Sequence, residues 1–69
     1  MSAEQVLTVA MQAVHAMRKF DLALEAAVDE WEQGRKDTPE NSAKIKQYGD
    51  EARRLQDEAI DMFDQLNME

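Results

Sequence analysis

Gly34-Arg35-Lys36-Asp37-Thr38-Pro39-Glu40-Asn41-Ser42 is the one break-rich stretch of the 69-residue chain, and it lies near the middle. Its order has a direction. Gly34 followed by Arg35 and Lys36 is a helix stop, because glycine takes the left-handed cap conformation freely and the two cations stand at the negative end of the helix dipole. Thr38 followed by Pro39 is a helix start, with a capping hydroxyl and then a proline at the first helical position, where its missing N–H costs nothing. Glu40 falls in the first turn, which favours an acid. Upstream, Ser2 and Gln5 form an S-x-x-Q capping box at the start of the first helix. Downstream, nothing interrupts the second helix until its end, where Asp61, Asp64 and Glu69 oppose the dipole and predict fraying. The chain is thus predicted to be a single domain over 1–69, with a helix at about 3–33, a turn at about 34–38 and a helix at about 39–67. Two helices of this length, about 45 Å each at 1.5 Å per residue, fold back through so short a connection into an antiparallel hairpin.

Composition supports the all-α class and narrows the function. Ala, Glu, Gln, Leu, Met, Lys and Arg dominate, and 2 glycines with 1 proline leave little turn chemistry for a sheet. There is no Cys, hence no disulfide or thiolate metal site, in a length class where one core seldom supplies more than a few kcal/mol. The 15 acidic and 8 basic residues give a net charge of −7, which repels phosphate backbones and anionic lipid. The acidity is uneven, at −2 over residues 1–36 and −5 over 37–69. No run reaches 18 apolar residues, and the N-terminus lacks the basic and apolar regions of a secretory signal. A cytoplasmic protein without membrane contact is expected.

Heptads expose a difference between the helices. In the second, Ile45, Ala52, Ala59 and Leu66 at a and Tyr48, Leu55 and Met62 at d make a narrow stripe, flanked by the i,i+4 pairs Lys46/Asp50, Asp50/Arg54, Arg53/Asp57 and Arg54/Glu58. In the first, a (Ala3, Ala10, Met17, Leu24, Trp31) and d (Val6, Ala13, Phe20, Ala27) are joined by apolar e (Leu7, Val14, Val28) and g (Val9, Ala16, Ala23). A stripe that wide needs at least two helical neighbours, and the second helix supplies one. The expected remedy is a second copy, giving an antiparallel four-helix bundle with two-fold symmetry, or else a different protein. The residues expected at this interface are Val6, Leu7, Val9, Ala10, Ala13, Val14, Met17 and Phe20. Trp31 and Tyr48 are expected in the interior near the turn, anchoring the hairpin.

In layout, a short acidic helical hairpin with small and large residues alternating along its seams, the chain resembles the Rop-type plasmid copy-number regulators. That likeness implies dimerisation into a four-helix bundle; no Rop motif aligns, so no RNA-binding residue carries over. The turn, with Gly34 followed by Pro39, is similar to that of the needle co-chaperones of type III secretion, a likeness confined to those residues.

Catalytic and cofactor chemistry find little to work with. His15 is the one imidazole, predicted to face solvent with no carboxylate beside it on its helix, so no metal and no cofactor are expected. Ser2, Thr38 and Ser42 sit at helix starts, Thr8 has no base in range, and a two-helix hairpin offers no cleft in which a carboxylate could be desolvated. The function expected is non-enzymatic helix-against-helix binding, as in small regulators, secretion co-chaperones and phage-encoded inhibitors. The alternative is nucleic-acid-linked regulation. It would work either by RNA binding through Arg18 and Lys19 in a dimer, or by phosphate mimicry from Asp57, Glu58, Asp61, Asp64 and Glu69.

Overall fold

The computed structural model describes residues 2–68, and over them the chain is two α-helices, α1 (Ala3–Glu32) and α2 (Pro39–Met68). The side chains of Met17 and Phe20 and the carbonyl of Ala23 in α1 meet α2 at 56, 49 and 41, so the helices run antiparallel. The Cα envelope is 53 × 14 × 13 Å with a radius of gyration of 15.6 Å, against about 11 Å for a compact domain of this length. The molecule is therefore a rod two helices wide.

Each helix end forms as its local chemistry demands. Ser2 Oγ accepts from Gln5 N–H while the Gln5 side chain accepts from Ser2 N–H at 2.9 Å, so the capping box is closed in both directions. Gly34 has φ +76°, and the Arg35 and Gly34 amides reach back to the carbonyls of Glu30 (2.8 Å) and Trp31 (3.0 Å), the paired bonds of a Schellman stop. Thr38 Oγ1 accepts from Asn41 N–H at 3.1 Å, with Pro39 opening α2. The turn side carries a network that the sequence pattern did not announce. Asn41 donates to the Ala23 carbonyl of α1 and to Asp37, each at 2.9 Å, and Ser42 donates to Asp37 at 3.1 Å. Asn41 thereby ties the first turn of α2 to the middle of α1. At its far end α2 stays helical through Met68, one residue beyond the expected limit, and Glu69 lies outside the described residues.

Arg35 also closes the stop with its side chain, donating from Nε and Nη2 to the two oxygens of Glu30 at 2.9 and 2.8 Å. This hydrogen-bonded fork holds the Glu30 carboxyl below its ordinary 4.5; desolvation opposes it, and the Arg35 charge adds a lesser lowering. A carboxyl whose folded pKa is depressed stabilises the fold above its unfolded pKa and loses that contribution as pH falls through the folded one. The stability difference between the wild-type chain and Glu30→Gln is accordingly expected to be present at pH 7 and to vanish in acid, below the ordinary glutamate range. Paired urea titrations across pH check this, and a difference that persists in acid contradicts it.

The interface between the helices is built from small side chains. Among the described residues the buried ones are Val6, Ala13, Ala16, Ala23 and Ala27 of α1 and Ala52 and Leu55 of α2. Five of these seven are alanine, which lets the helix backbones approach closely. On α1 they fall at d and g, so α2 lies over the d/g seam rather than the expected a/d seam. The large side chains at a, Met17, Leu24 and Trp31, would hold a neighbour away, whereas Ala13, Ala16, Ala23 and Ala27 admit it. The g flank, expected to need a further neighbour, is thus already covered by α2. Only the a/e side is left open.

Phe20 is the one bulky ring on that d/g seam, and it lands on Gly49. A Cβ added at Gly49 would stand 3.0 Å from Phe20 Cε2, so the glycine makes room for the ring. A mid-helix glycine costs about 1 kcal/mol relative to alanine, and Phe20 supplies the reason for one here. Gly49→Leu is expected to destabilise by about 1–3 kcal/mol through overpacking. Combined with Phe20→Ala, the loss should fall short of the sum of the single losses by about 1 kcal/mol or more. Additive losses in a denaturant double-mutant cycle would show that the two positions do not meet.

Candidate interaction surface

Once α2 covers the d/g seam, the two broad faces of the hairpin differ in chemistry. On one face a groove runs between Met17, Phe20 and Asp21 of α1 and Gly49, Arg53 and Gln56 of α2. On the other, Gln12, His15 and Lys19 of α1 face Glu51 and Arg54 of α2, and nearer the turn Lys19 and Leu22 face Asn41, Lys44 and Tyr48. The second face is mostly polar and charged.

On the first face α1 presents a long apolar line, and α2 joins it at the open end; between them Asp21, Asp50, Arg53 and Gln56 line the groove. Leu7, Val14, Met17, Val28 and Trp31 are exposed along the a/e side of α1, with Met11 beside them and Ala10 and Leu24 half-buried among them. On α2, Phe63 lies one heptad beyond Gln56 and two beyond Gly49, the residues that touch Met17 and Phe20. Helical geometry therefore puts Phe63 on this same face, with Ile60 next to it. Both are exposed, and the antiparallel register sets them level with Leu7 and Ala10. The apolar surface is continuous from α1 onto α2 at the open end of the hairpin. Its one acidic interruption on the a/e line is Asp21.

The eight residues expected at an interface are divided by the structure. Val6 and Ala13 are buried against α2, Val9, Ala10 and Phe20 are half-buried at the seam, and Leu7, Val14 and Met17 face outward. Met17 Sδ also accepts from Gln56 Nε2 at 2.7 Å across the groove. Ile60, Phe63 and Val28 belong to the surface as well. Their signal in the sequence was faint, because Ile60 and Phe63 lie off the a/d stripe of their own helix.

Trp31 corrects the expectation that it is interior. It is 62 % exposed, because it stands at a, away from the d/g seam, and lies level with the turn, before α2 has begun. Tyr48 is half-buried, with Lys19 Nζ 5.9 Å from its ring centroid. Arg18 is one residue earlier and so about 100° round the helix, on the side of the apolar stripe. The Arg18-Lys19 doublet is split between the two faces rather than presented as one patch.

The charged groups are mostly solvated. Among the described residues the ion pairs are Glu30–Arg35 at 2.8 Å and Arg54–Glu58 at 4.0 Å. The pairs expected for Lys46/Asp50, Asp50/Arg54 and Arg53/Asp57 are not formed, since flexible exposed side chains gain little from closing in water. Asp57, Glu58, Asp61 and Asp64 are exposed on the side of α2 remote from α1, with Arg54 as the cation close to Glu58. His15 is exposed, as expected, and Glu51 of α2 lines the same groove without a hydrogen bond to it. Among the described residues no group of three or more His, Cys, Asp or Glu side chains is placed to hold a metal ion. Among the described residues no helix is long and apolar enough to cross a membrane.

Comparison with protein-family models, with curated proteins and with solved structures finds no match for the chain.

Proposed function

We propose that this chain is a small, non-enzymatic interaction protein that works by laying its apolar hairpin face against a like or unlike helical partner, in the manner of a regulator. The observation that carries the proposal is the one-sidedness of the rod. Leu7, Val14, Met17, Val28 and Trp31 share a face with Ile60 and Phe63, while the opposite face holds charged and amide groups. A contiguous apolar patch rimmed by polar residues marks a protein contact site.

Area supports the same reading. The chain exposes 5334 Å², about 900 Å² more than the roughly 4,400 Å² expected of a compact folded chain of 7.9 kDa. That surplus is close to the ~800 Å² per partner of a standard interface. Pairing of two hairpins into a four-helix bundle would remove it, and the buried seam of five alanines, one valine and one leucine gains the second apolar layer it lacks. A cytoplasmic setting fits a chain without cysteine, and no cofactor enters the mechanism. Association coupled to folding makes the thermal midpoint rise with chain concentration. A midpoint that stays constant over a hundredfold dilution series contradicts the proposal.

The second reading is nucleic-acid-linked regulation, supported by the exposed carboxylates Asp57, Asp61 and Asp64, which form no ion pair among the described residues. Such a row can occupy a cationic groove in place of phosphates. Its RNA-binding form fares worse, because Arg18 and Lys19 point to different faces. Salt-dependent RNA binding lost in Arg18→Ala and Lys19→Ala would favour that form over the protein-binding one.

A further inference from the structure

Beyond association as such, and resting on the proposal above, we infer that the occupant of the apolar face is a second copy of this chain. It lies with its turn at the opposite end, in the register that sets residue i of α1 against residue 38−i of its partner. Three observations on the open face fix that choice.

The first is charge. Asp21 interrupts the apolar a/e line of α1, and Arg18 stands three residues before it on the same side. Among the described residues neither is in an ion pair, although Arg53 of α2 lines the same groove as Asp21. In the stated register Asp21 lies opposite the partner's Met17 and beside the partner's Arg18, and symmetry repeats the pair, so two ion pairs close about the dyad. Slipping the register by one heptad either way sets Asp21 against the partner's Ala10 or Leu24, leaving a carboxylate in an apolar contact. Aligning the two copies of α1 in parallel opposes Asp21 to itself.

The second is the distribution of large side chains. Trp31 is exposed at the turn end, and Leu7 and Phe63 are exposed at the open end. Head-to-tail reversal lays each Trp31 on the partner's Leu7, next to its Phe63, and so covers both unpartnered ends at once.

The third is the angle between seams. On α1 the d/g seam that holds α2 and the open a/e seam are centred about 110° apart at 100° per residue. Each helix of a four-helix bundle needs two neighbours at roughly that angle.

Because the chain lacks cysteine, introduced thiols report without background. Ala10→Cys/Val28→Cys is expected to give a covalent dimer with a short bismaleimide, since residue 10 of one copy opposes residue 28 of the other. Neither single variant should do so, because in each the like positions lie about 27 Å apart along the dimer. In a second arm, Arg18→Asp is expected to weaken dimerisation about tenfold, and Arg18→Asp/Asp21→Arg to restore it to within about threefold. A chain that is dimeric by light scattering but crosslinks as well through either single cysteine, or not at all through the pair, overturns the register and leaves association standing. Failure of the charge reversal to restore binding overturns it equally. A chain that is monomeric at every concentration overturns both.

Discussion

Leu55→Ala is expected to leave most of the chain unfolded at 25 °C. Leu55 is the largest side chain in the buried seam, at 7 % exposure, and its neighbours there are alanines. Deleting it removes transfer free energy and opens a cavity that short side chains on rigid helices cannot fill, a loss of about 2–5 kcal/mol. Small domains have little more than that to lose. Leu55→Met keeps the volume and should lose less than about 1.5 kcal/mol. Far-ultraviolet circular dichroism with urea titration measures both. A Leu55→Ala chain as stable as the wild type would mean that α1 and α2 do not pack through this seam.

The second large effect is expected at Val14, and its sign separates an isolated hairpin from an associated one. Val14 is exposed and outside the α1–α2 seam. In an isolated hairpin Val14→Glu would therefore change stability by no more than about 0.5 kcal/mol, and glutamate is the better helix former. In the proposed dimer the same carboxylate is buried without a cation, which raises the dissociation constant about 100-fold or more, some 2.8 kcal/mol. With folding and pairing coupled as proposed, the loss appears as a lower thermal midpoint at fixed concentration. Leu22→Glu, on the other side of α1, is the control and should leave mass and midpoint unchanged. Equal effects at 14 and 22 would show that the apolar face has no special role.

How far the sequence could be read is clearest at the helix ends. Ser2 with Gln5, Gly34 with Arg35, and Thr38 with Pro39 act through hydrogen bonds spanning five or fewer residues, so local spacing was enough to place them. The side of α1 that α2 covers was not legible in the same way. Heptad counting treats every apolar position alike and favoured a/d, whereas close packing prefers the alanines at d and g and turns the bulky a residues outward. Trp31 was misplaced for this reason, and because the turn begins α2 too late to cover it. Gly49 and Asn41 escaped notice since their partners, Phe20 and the Ala23 carbonyl, are 29 and 18 residues away. Of the interface residues expected, Leu7, Val14 and Met17 face outward because they lie at a and e. Val6 and Ala13, at d, went to the intrachain seam.

In the proposed dimer the hairpin is half of a structure. Multi-angle light scattering of the purified chain over a range of concentrations tests it most directly. The expected mass is twice the 7.9 kDa of the chain, falling toward the monomer value on dilution and with Val14→Glu. A well-folded species at 7.9 kDa with a sharp, concentration-independent thermal transition would contradict it.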